Sequence, residues 1–338
     1  MNAIRETARA LVAEGKGILA ADESTGTITR RFEAAGIAST EDERRAYREL
    51  LFTAPAAAET LSGIILYDET IRQRASDGRL FPELLAAQGI IPGIKVDKGA
   101  KPLALGEGET VTEGLDGLRE RFTEYRTLGA RFAKWRATYS VGPGRPSDDC
   151  IWTNAHALAR YAALAQEAGL VPIVEPEVLM DGSHTLEESH RASGRALQAL
   201  FTELHDQRVD YRGLLLKPNM VLAGYAAPTA SAEEVAEATL DVLYRHVPPA
   251  VPGIVFLSGG QPDLDATVHL DLMNRRGPHP WQLSFSYARA LQSAAMTTWA
   301  GIPAQVAAAQ ASFSHRARMN AAARQGSYDP TLELSPGG

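Results

Sequence analysis

Short apolar runs alternate with amphipathic stretches along nearly the whole chain. The runs are Gly17–Asp22 (GILAAD), Gly63–Asp68 (GIILYD), Ile91–Asp97 (IPGIKVD), Phe132–Tyr139 (FAKWRATY), Val171–Leu179 (VPIVEPEVL), Gly213–Asn219 (GLLLKPN), Gly253–Gly259 (GIVFLSG) and Leu283–Tyr287 (LSFSY). Most are continuous in hydrophobicity, which marks strands buried on both faces, as in a parallel sheet. Helical patterns separate them. Thr40–Leu51 opens with Thr40 and Glu43, the spacing of a capping box. Leu115–Leu128, Asn154–Ala168, Thr185–Gln207, Ser231–His246, Asp263–Asn274, Ala288–Trp299 and Pro303–Gln325 follow. The opening MNAIRETARALVAEGKG reads as an amphipathic helix with Ile4, Ala8, Leu11 and Val12 on one face.

Strands alternating with helices imply βαβ units and parallel pairing. Eight such repeats predict an α/β fold closed into a single-domain (β/α)8 TIM barrel. The barrel is expected to occupy residues 1–326, with the N-terminal helix, and a short flexible tail residues 327–338. A doubly wound open sheet is the alternative. It lacks support from a glycine-rich fingerprint after the first strand, since Gly106-Glu107-Gly108 stands alone in an acidic loop.

Composition narrows the function classes. Hydrophobic residues make up 45% of the 338 positions and charged residues 22%, as in an ordinary soluble protein. A net charge of −7 argues against nucleic-acid or anionic-membrane partners. A phosphate site must then be a local cationic pocket. The single cysteine, Cys150, lies in PSDDCIW, read here as a turn-rich stretch without a catalytic role. It permits no intrachain disulfide, which suits a reducing, cytoplasmic compartment. No apolar run reaches membrane-spanning length, and the start has no signal-peptide core.

Charged residues collect at the carboxyl ends of the runs, where barrels keep their chemistry. Asp22 ends the first run, Lys95 and Asp97 the third, and Lys217 the sixth. Lys134 and Arg136 stand two apart in the fourth, Glu175 and Glu177 in the fifth, so each pair shares a face. Alone, GLLLKPNM describes a lysine reaching for water. Among these neighbours Lys217 is read as a nucleophile, which needs its pKa lowered by burial or by nearby cations, with Lys134 and Arg136 as the candidate cations. The product would be a Schiff base with a carbonyl, an electron sink for cleaving the adjacent carbon–carbon bond. Glu175 and Glu177 can divide acid and base work, or serve only as ion-pair partners. Asp22 is either a general base or a cap for a helix after Ser24. Ser258-Gly259-Gly260 can turn backbone N–H groups toward phosphate, and Arg289 adds a fork of donors; a tight turn is the bland reading. Lys95 and Arg31 are candidates for a second phosphate, or members of a solvated face. No metal site is expected: the eight histidines show no HExxH spacing, and His184 and His190 are wrongly separated for one helix face.

These blocks resemble one family. GKGILAADESTGTI, GIKVDKG, GLDGL, FAKWR, IVPIVEPEVL, LLKPNM, VPPAVPGIVFLSGGQ and SFSYARALQ are similar, in order and spacing, to class I fructose-bisphosphate aldolases. The resemblance runs from about Leu11 to Ala300. It implies a metal- and cofactor-free barrel, usually a homotetramer. Such enzymes reversibly cleave fructose 1,6-bisphosphate to dihydroxyacetone phosphate and glyceraldehyde 3-phosphate in glycolysis and gluconeogenesis. By resemblance Lys217 is the Schiff-base lysine, Glu175 handles protons in imine formation, and Asp22 takes the C4 hydroxyl proton. Lys134 assists at the carbinolamine, and Arg136 and Glu177 complete the charge network. Ser258, Gly259, Gly260, Ser286 and Arg289 match the ketose-phosphate site; Lys95, Arg31, Ser24 and Thr27 match the other phosphate and sugar hydroxyls. Three departures stand out: Ala288 where glycine is common, Arg30 where lysine is common, and a tail without a terminal tyrosine. Sedoheptulose 1,7-bisphosphate shares the ketose-phosphate half, so sequence leaves it open as a substrate.

Overall fold

Eight parallel strands close on themselves in the computed structural model, which describes residues 2–334. They are β1 (Gly17–Ala21), β2 (Leu61–Leu66), β3 (Ile91–Lys95), β4 (Phe132–Tyr139), β5 (Val171–Val178), β6 (Leu215–Leu216), β7 (Gly253–Phe256) and β8 (Gln282–Tyr287). The ring closes where Leu19 of β1 sits beside Tyr287 of β8. One helix, α1 (Asn2–Leu11), closes one end of the ring, and the others flank it: α2 (Thr25–Ala34), α3 (Glu41–Phe52), α4 (Phe81–Ala87), α5 (Leu118–Thr127), α6 (Asp148–Glu167), α7 (Leu186–Asp206), α8 (Ala232–His246), α9 (Asp263–Arg275), α10 (Arg289–Trp299) and α11 (Val306–Arg324). The architecture is the (β/α)8 barrel, in one domain. No helix among the described residues is long and apolar enough to cross a membrane.

Both faces of the strands are apolar because each faces a different core. Outward residues such as Leu19, Ile64, Trp135, Val174 and Phe285 join the large cluster beneath the helices. Inward residues Ile18, Ala20, Ile65, Phe132, Val171, Ile173, Leu215 and Val255 form a second cluster with Ile4, Ala8, Leu11 and Val12 of the N-terminal segment. The amphipathic α1 therefore plugs the floor of the barrel. Glycines make room for it: a Cβ at Gly63 would lie 2.7 Å from Leu11 Cδ2, and one at Gly253 would lie 2.5 Å from Val12 Cγ1. Burying each large apolar plug residue is worth about 1.5–3 kcal/mol.

Some boundaries differ from the sequence reading. The fourth strand–helix connection starts its helix at Asp148 instead of Asn154, since Ser147 caps it by accepting from the Cys150 N–H at 3.1 Å. Cys150 is thus buried in a first helical turn, not in a turn-rich loop. The sixth strand shrinks to two residues because Tyr211–Gly213 tightens into a 3₁₀ turn. Its ladder still reaches Lys217, whose N–H donates to the Val174 carbonyl at 2.8 Å. Helices α2 and α4 and an antiparallel hairpin, Ala100–Pro102 with Thr110–Thr112, are additions. Of the segment expected as a flexible tail, the part through Leu334 docks on the barrel. Tyr328 is buried, its N–H donates to Asp271 Oδ1 at 2.9 Å, and Glu333 bonds His315 at 2.7 Å. The rest, 335–338, lies outside the described residues.

Candidate active site

The two-residue period of the strands builds the site. In β4, Phe132 faces the interior, so Lys134 does too. The same count carries Val171 and Ile173 to Glu175, Ile18 and Ala20 to Asp22, and Leu215 to Lys217. The lower barrel is hydrocarbon, and the upper interior is charged. Lys134, Glu175 and Lys217 are each only 3% exposed and Asp22 is 7% exposed. Lys134 Nζ stands 2.8 Å from Asp22 Oδ2 and 2.9 Å from Glu175 Oε2. Glu175 reaches Lys217 Nζ with its other oxygen at 3.2 Å. The result is an unbroken chain of alternating charge, Asp22–Lys134–Glu175–Lys217.

Burial and neighbours pull these groups in different directions. Burial pushes the Asp22 carboxyl up, but Lys134 and Lys217 together outweigh it and hold the group well below the usual carboxylate range. Glu175 behaves likewise: burial raises it, and Lys134, Lys217 and Arg136 bring it below its ordinary value. Lys134 loses to burial and gains more from Asp22 and Glu175, so it stays firmly protonated. Lys217 alone ends lowered, as a nucleophilic lysine requires. Burial is the main cause, Glu175 opposes it, and Lys134 adds to it. The expected lowering is present, with burial ahead of Lys134. Glu175 is itself held ionised, by the cations around it.

Around this chain lie two supporting clusters. Arg136 donates from Nε to Glu177, and the Arg136 N–H reaches Asp97 Oδ2 at 3.2 Å. Asp97 also pairs with Lys95, whose Nζ touches the Asp97 carbonyl at 3.0 Å. On the other flank Arg31 pairs with Glu23, a buried carboxylate that also takes Arg48 at 2.6 Å and Gln292 Nε2 at 3.1 Å. Arg31 is thereby turned toward Glu23. Neighbouring Arg30 is exposed, and its Nη2 lies 3.3 Å from Thr27 Oγ1, which in turn contacts Ser24 Oγ at 3.1 Å. Ser24 and Lys95 share a cavity of about 520 Å³ with Tyr67 and Lys98.

Ser258, Gly259 and Gly260 form a tight turn after β7, with φ of 61° and 90° at the two glycines. Such values favour residues without a Cβ. A Cβ at Gly260 would meet both the Tyr225 hydroxyl and the Arg289 guanidinium, so all three converge. Tyr225 donates to the Gly259 carbonyl at 3.3 Å. Arg289 opens α10, whose cap residue Ala288 offers no side-chain acceptor to the first N–H groups. Ala288 has φ of −102°, outside the region that demands glycine, so the departure carries no left-handed strain. Ser286 points up the barrel, 1% exposed, and its Oγ has no partner among the described residues. The arrangement suits a carbonyl compound held by an anionic group at one end and attacked by an amine in a dry interior.

Sequence reasoning did not select Glu23, Lys98 or Tyr225 for the site; it named Asp97 only as a charge at the barrel mouth and Arg30 only as a departure. Glu23, Asp97 and Lys98 lay inside the quoted ADES and GIKVDKG blocks, so adjacency was their signal. Tyr225 carried none, because only the docking of its loop, with its N–H on the Met180 carbonyl at 2.8 Å, brings it over the turn. Among the described residues no three histidine, cysteine or carboxylate side chains are grouped to hold a metal.

A family model described as fructose-bisphosphate aldolase class-I matches residues 3–336. A probable fructose-bisphosphate aldolase class 1 of Xanthomonas axonopodis pv. citri is 55% identical over 327 residues, covering 96% of this chain and 98% of that protein. Cytosolic fructose-bisphosphate aldolase 5 of Arabidopsis thaliana is 51% identical over 324 residues, 96% of this chain and 90% of its own. Among solved structures, fructose-bisphosphate aldolase of Plasmodium falciparum, in complex with TRAP and a small-molecule inhibitor, superposes with a TM-score of 0.96. Its identity is 45%, over 97% of this chain and 95% of that one.

Proposed function

The chain belongs to the class I fructose-bisphosphate aldolases, and from that premise we propose that it works through a Schiff base on Lys217, without a metal. The observation that carries this is the 3.2 Å approach of Lys217 Nζ to Glu175 Oε1 in a buried pair. A proton passed from the ammonium to Glu175 leaves a free amine and a loaded acid in one step. The amine attacks the ketose carbonyl of fructose 1,6-bisphosphate. Glu175 returns its proton to the carbinolamine hydroxyl, which leaves as water, and the iminium forms. Lys134 steadies the developing charges from 2.9 Å. The Asp22 carboxylate takes the C4 hydroxyl proton, the C3–C4 bond breaks, and its electron pair flows into the iminium. Glyceraldehyde 3-phosphate departs. Protonation and hydrolysis of the remaining enamine release dihydroxyacetone phosphate and restore Lys217.

Ser258, Gly259, Gly260, Ser286 and Arg289 would hold the ketose phosphate, and Ser24, Thr27 and Lys95 the opposite one. Arg31 could join them only on release from Glu23; Arg30 is freer to do so. Arg136 and Glu177 would fix the upper rim of the charge network. The test is turnover of fructose 1,6-bisphosphate in excess EDTA. Full activity is expected from the wild type and none above background from Lys217→Ala; activity in that variant removes the imine. A homotetramer in the cytoplasm is proposed with it, and a monomer by light scattering at micromolar concentration would oppose the assembly.

A further inference from the structure

The floor of the barrel also holds a buried cation, one the reaction does not use. Arg324, the last residue of α11, is 6% exposed. Its Nη2 donates to the Val12 carbonyl at 3.2 Å and to Gln282 Oε1 at 2.6 Å, while its Nε meets no acceptor among the described residues. Both acceptors are neutral. Taking a guanidinium out of water without an opposite charge is unfavourable, and arginine cannot shed its proton to escape.

The Arg324 side chain walls a cavity of about 650 Å³, within the range of small-molecule sites. Arg9, Asn274, Gln282, Gln325 and Glu14 also line it. Gln282 opens β8, so the cavity lies at the strands' amino ends, across the barrel from Lys217. Arg9 and Glu14 are both exposed; Glu14 acts on Arg324 at long range, and this one carboxylate against two arginines leaves the lining with an excess of positive charge. The side-chain amides of Gln282 and Gln325 stand ready for further oxygen atoms, whereas that of Asn274 already donates to the Leu270 and Ala323 carbonyls.

We propose that this cavity binds a small anion carrying phosphate or carboxylate oxygens. Arg324 grips it from inside, Arg9 from the rim, and the amides of Gln282 and Gln325 take neighbouring groups. The competing account makes Glu14 the counter-ion of Arg324 and leaves the cavity without a ligand. The two differ in sign when Glu14 is neutralised.

The test is a thermal-shift titration at constant ionic strength, with inorganic phosphate and with citrate. An Arg289→Ala background weakens binding at the barrel mouth. The midpoint should rise saturably with at least one probe, and the better probe tells phosphate from carboxylate. Glu14→Gln should tighten that probe by about two- to five-fold, the scale of one exposed charge. Arg324→Gln should weaken it by about ten-fold or more, the scale of a charged hydrogen bond. Glu14 is exposed, so its variant keeps the test decisive should Arg324→Gln fail to fold. No saturable rise with either probe, or affinity unchanged or weakened in Glu14→Gln, overturns the proposal.

Discussion

Two buried cations, Lys217 and Arg324, sit at opposite ends of one barrel, 3% and 6% exposed. Their surroundings differ in kind. Lys217 has Glu175 at 3.2 Å and belongs to a chain of four alternating charges. Arg324 is held by a carbonyl and an amide, beside the hydrocarbon of Val12. An amine so placed can give up its proton and become a nucleophile; a guanidinium cannot. Burial therefore lowers the pKa of the Lys217 amine at the mouth and leaves a cation with only neutral hydrogen-bond partners at the floor. The floor's other task is mechanical, since Leu11 and Val12 stopper the barrel that aims Lys134, Glu175 and Lys217 upward.

The sharpest break in the comparison is Lys217→Ala. It should lower kcat/KM by at least about 10⁴-fold, as loss of a nucleophile from a concerted unit does, in an aldol-cleavage assay coupled to triose-phosphate detection. Glu175→Gln should follow with a loss of about 10²–10⁴-fold, mostly in kcat, the range of a general acid–base group. Arg289→Ala should cost about 10–100-fold, through KM for phosphorylated substrate, as a lost charged hydrogen bond does.

Two variants sharpen the electrostatic half. Lys134 depresses Lys217 and Glu175 raises it. Lys134→Met should thus move the pH midpoint of Lys217 alkylation upward, and Glu175→Gln should move it downward. Each shift should be about one unit, read by reductive alkylation with a small aldehyde across pH and mass mapping. Midpoints moving the same way would reject the assignment of causes. At the floor, Leu11→Ala should destabilise by about 2–5 kcal/mol in urea unfolding, with kcat/KM of the folded fraction nearly unchanged.

Much of the mouth was legible in sequence, and little of the floor. The strands showed as apolar runs because both faces are buried, and a charge inside such a run, as at Lys134 or Glu175, is anomalous without a cavity. Their places toward the carboxyl ends of the strands then gathered Asp22, Lys134, Glu175 and Lys217 at one mouth. The hairpin at Ala100–Pro102 was not legible, since three residues carry no period. The helix start at Asp148 was hidden because Ser147 and two aspartates read equally as a turn or a cap. Arg324 gave no signal at all. It ends an ordinary helix, and only the docking of that helix's end against Val12 and Gln282 buries it. Nor did the turn of Arg31 toward Glu23 show, because an ion pair between neighbours on a helix and a strand end has no one-dimensional mark.

The central claim, that burial among paired charges makes Lys217 the covalent partner of substrate, meets its most direct test in trapping. The protein is mixed with dihydroxyacetone phosphate in excess EDTA, reduced with borohydride, digested and mapped by mass. The account predicts one reduced ketose adduct, on the peptide bearing Lys217, with activity lost in step. Full activity after reduction, or an adduct on another lysine with Lys217 unmodified, would contradict it.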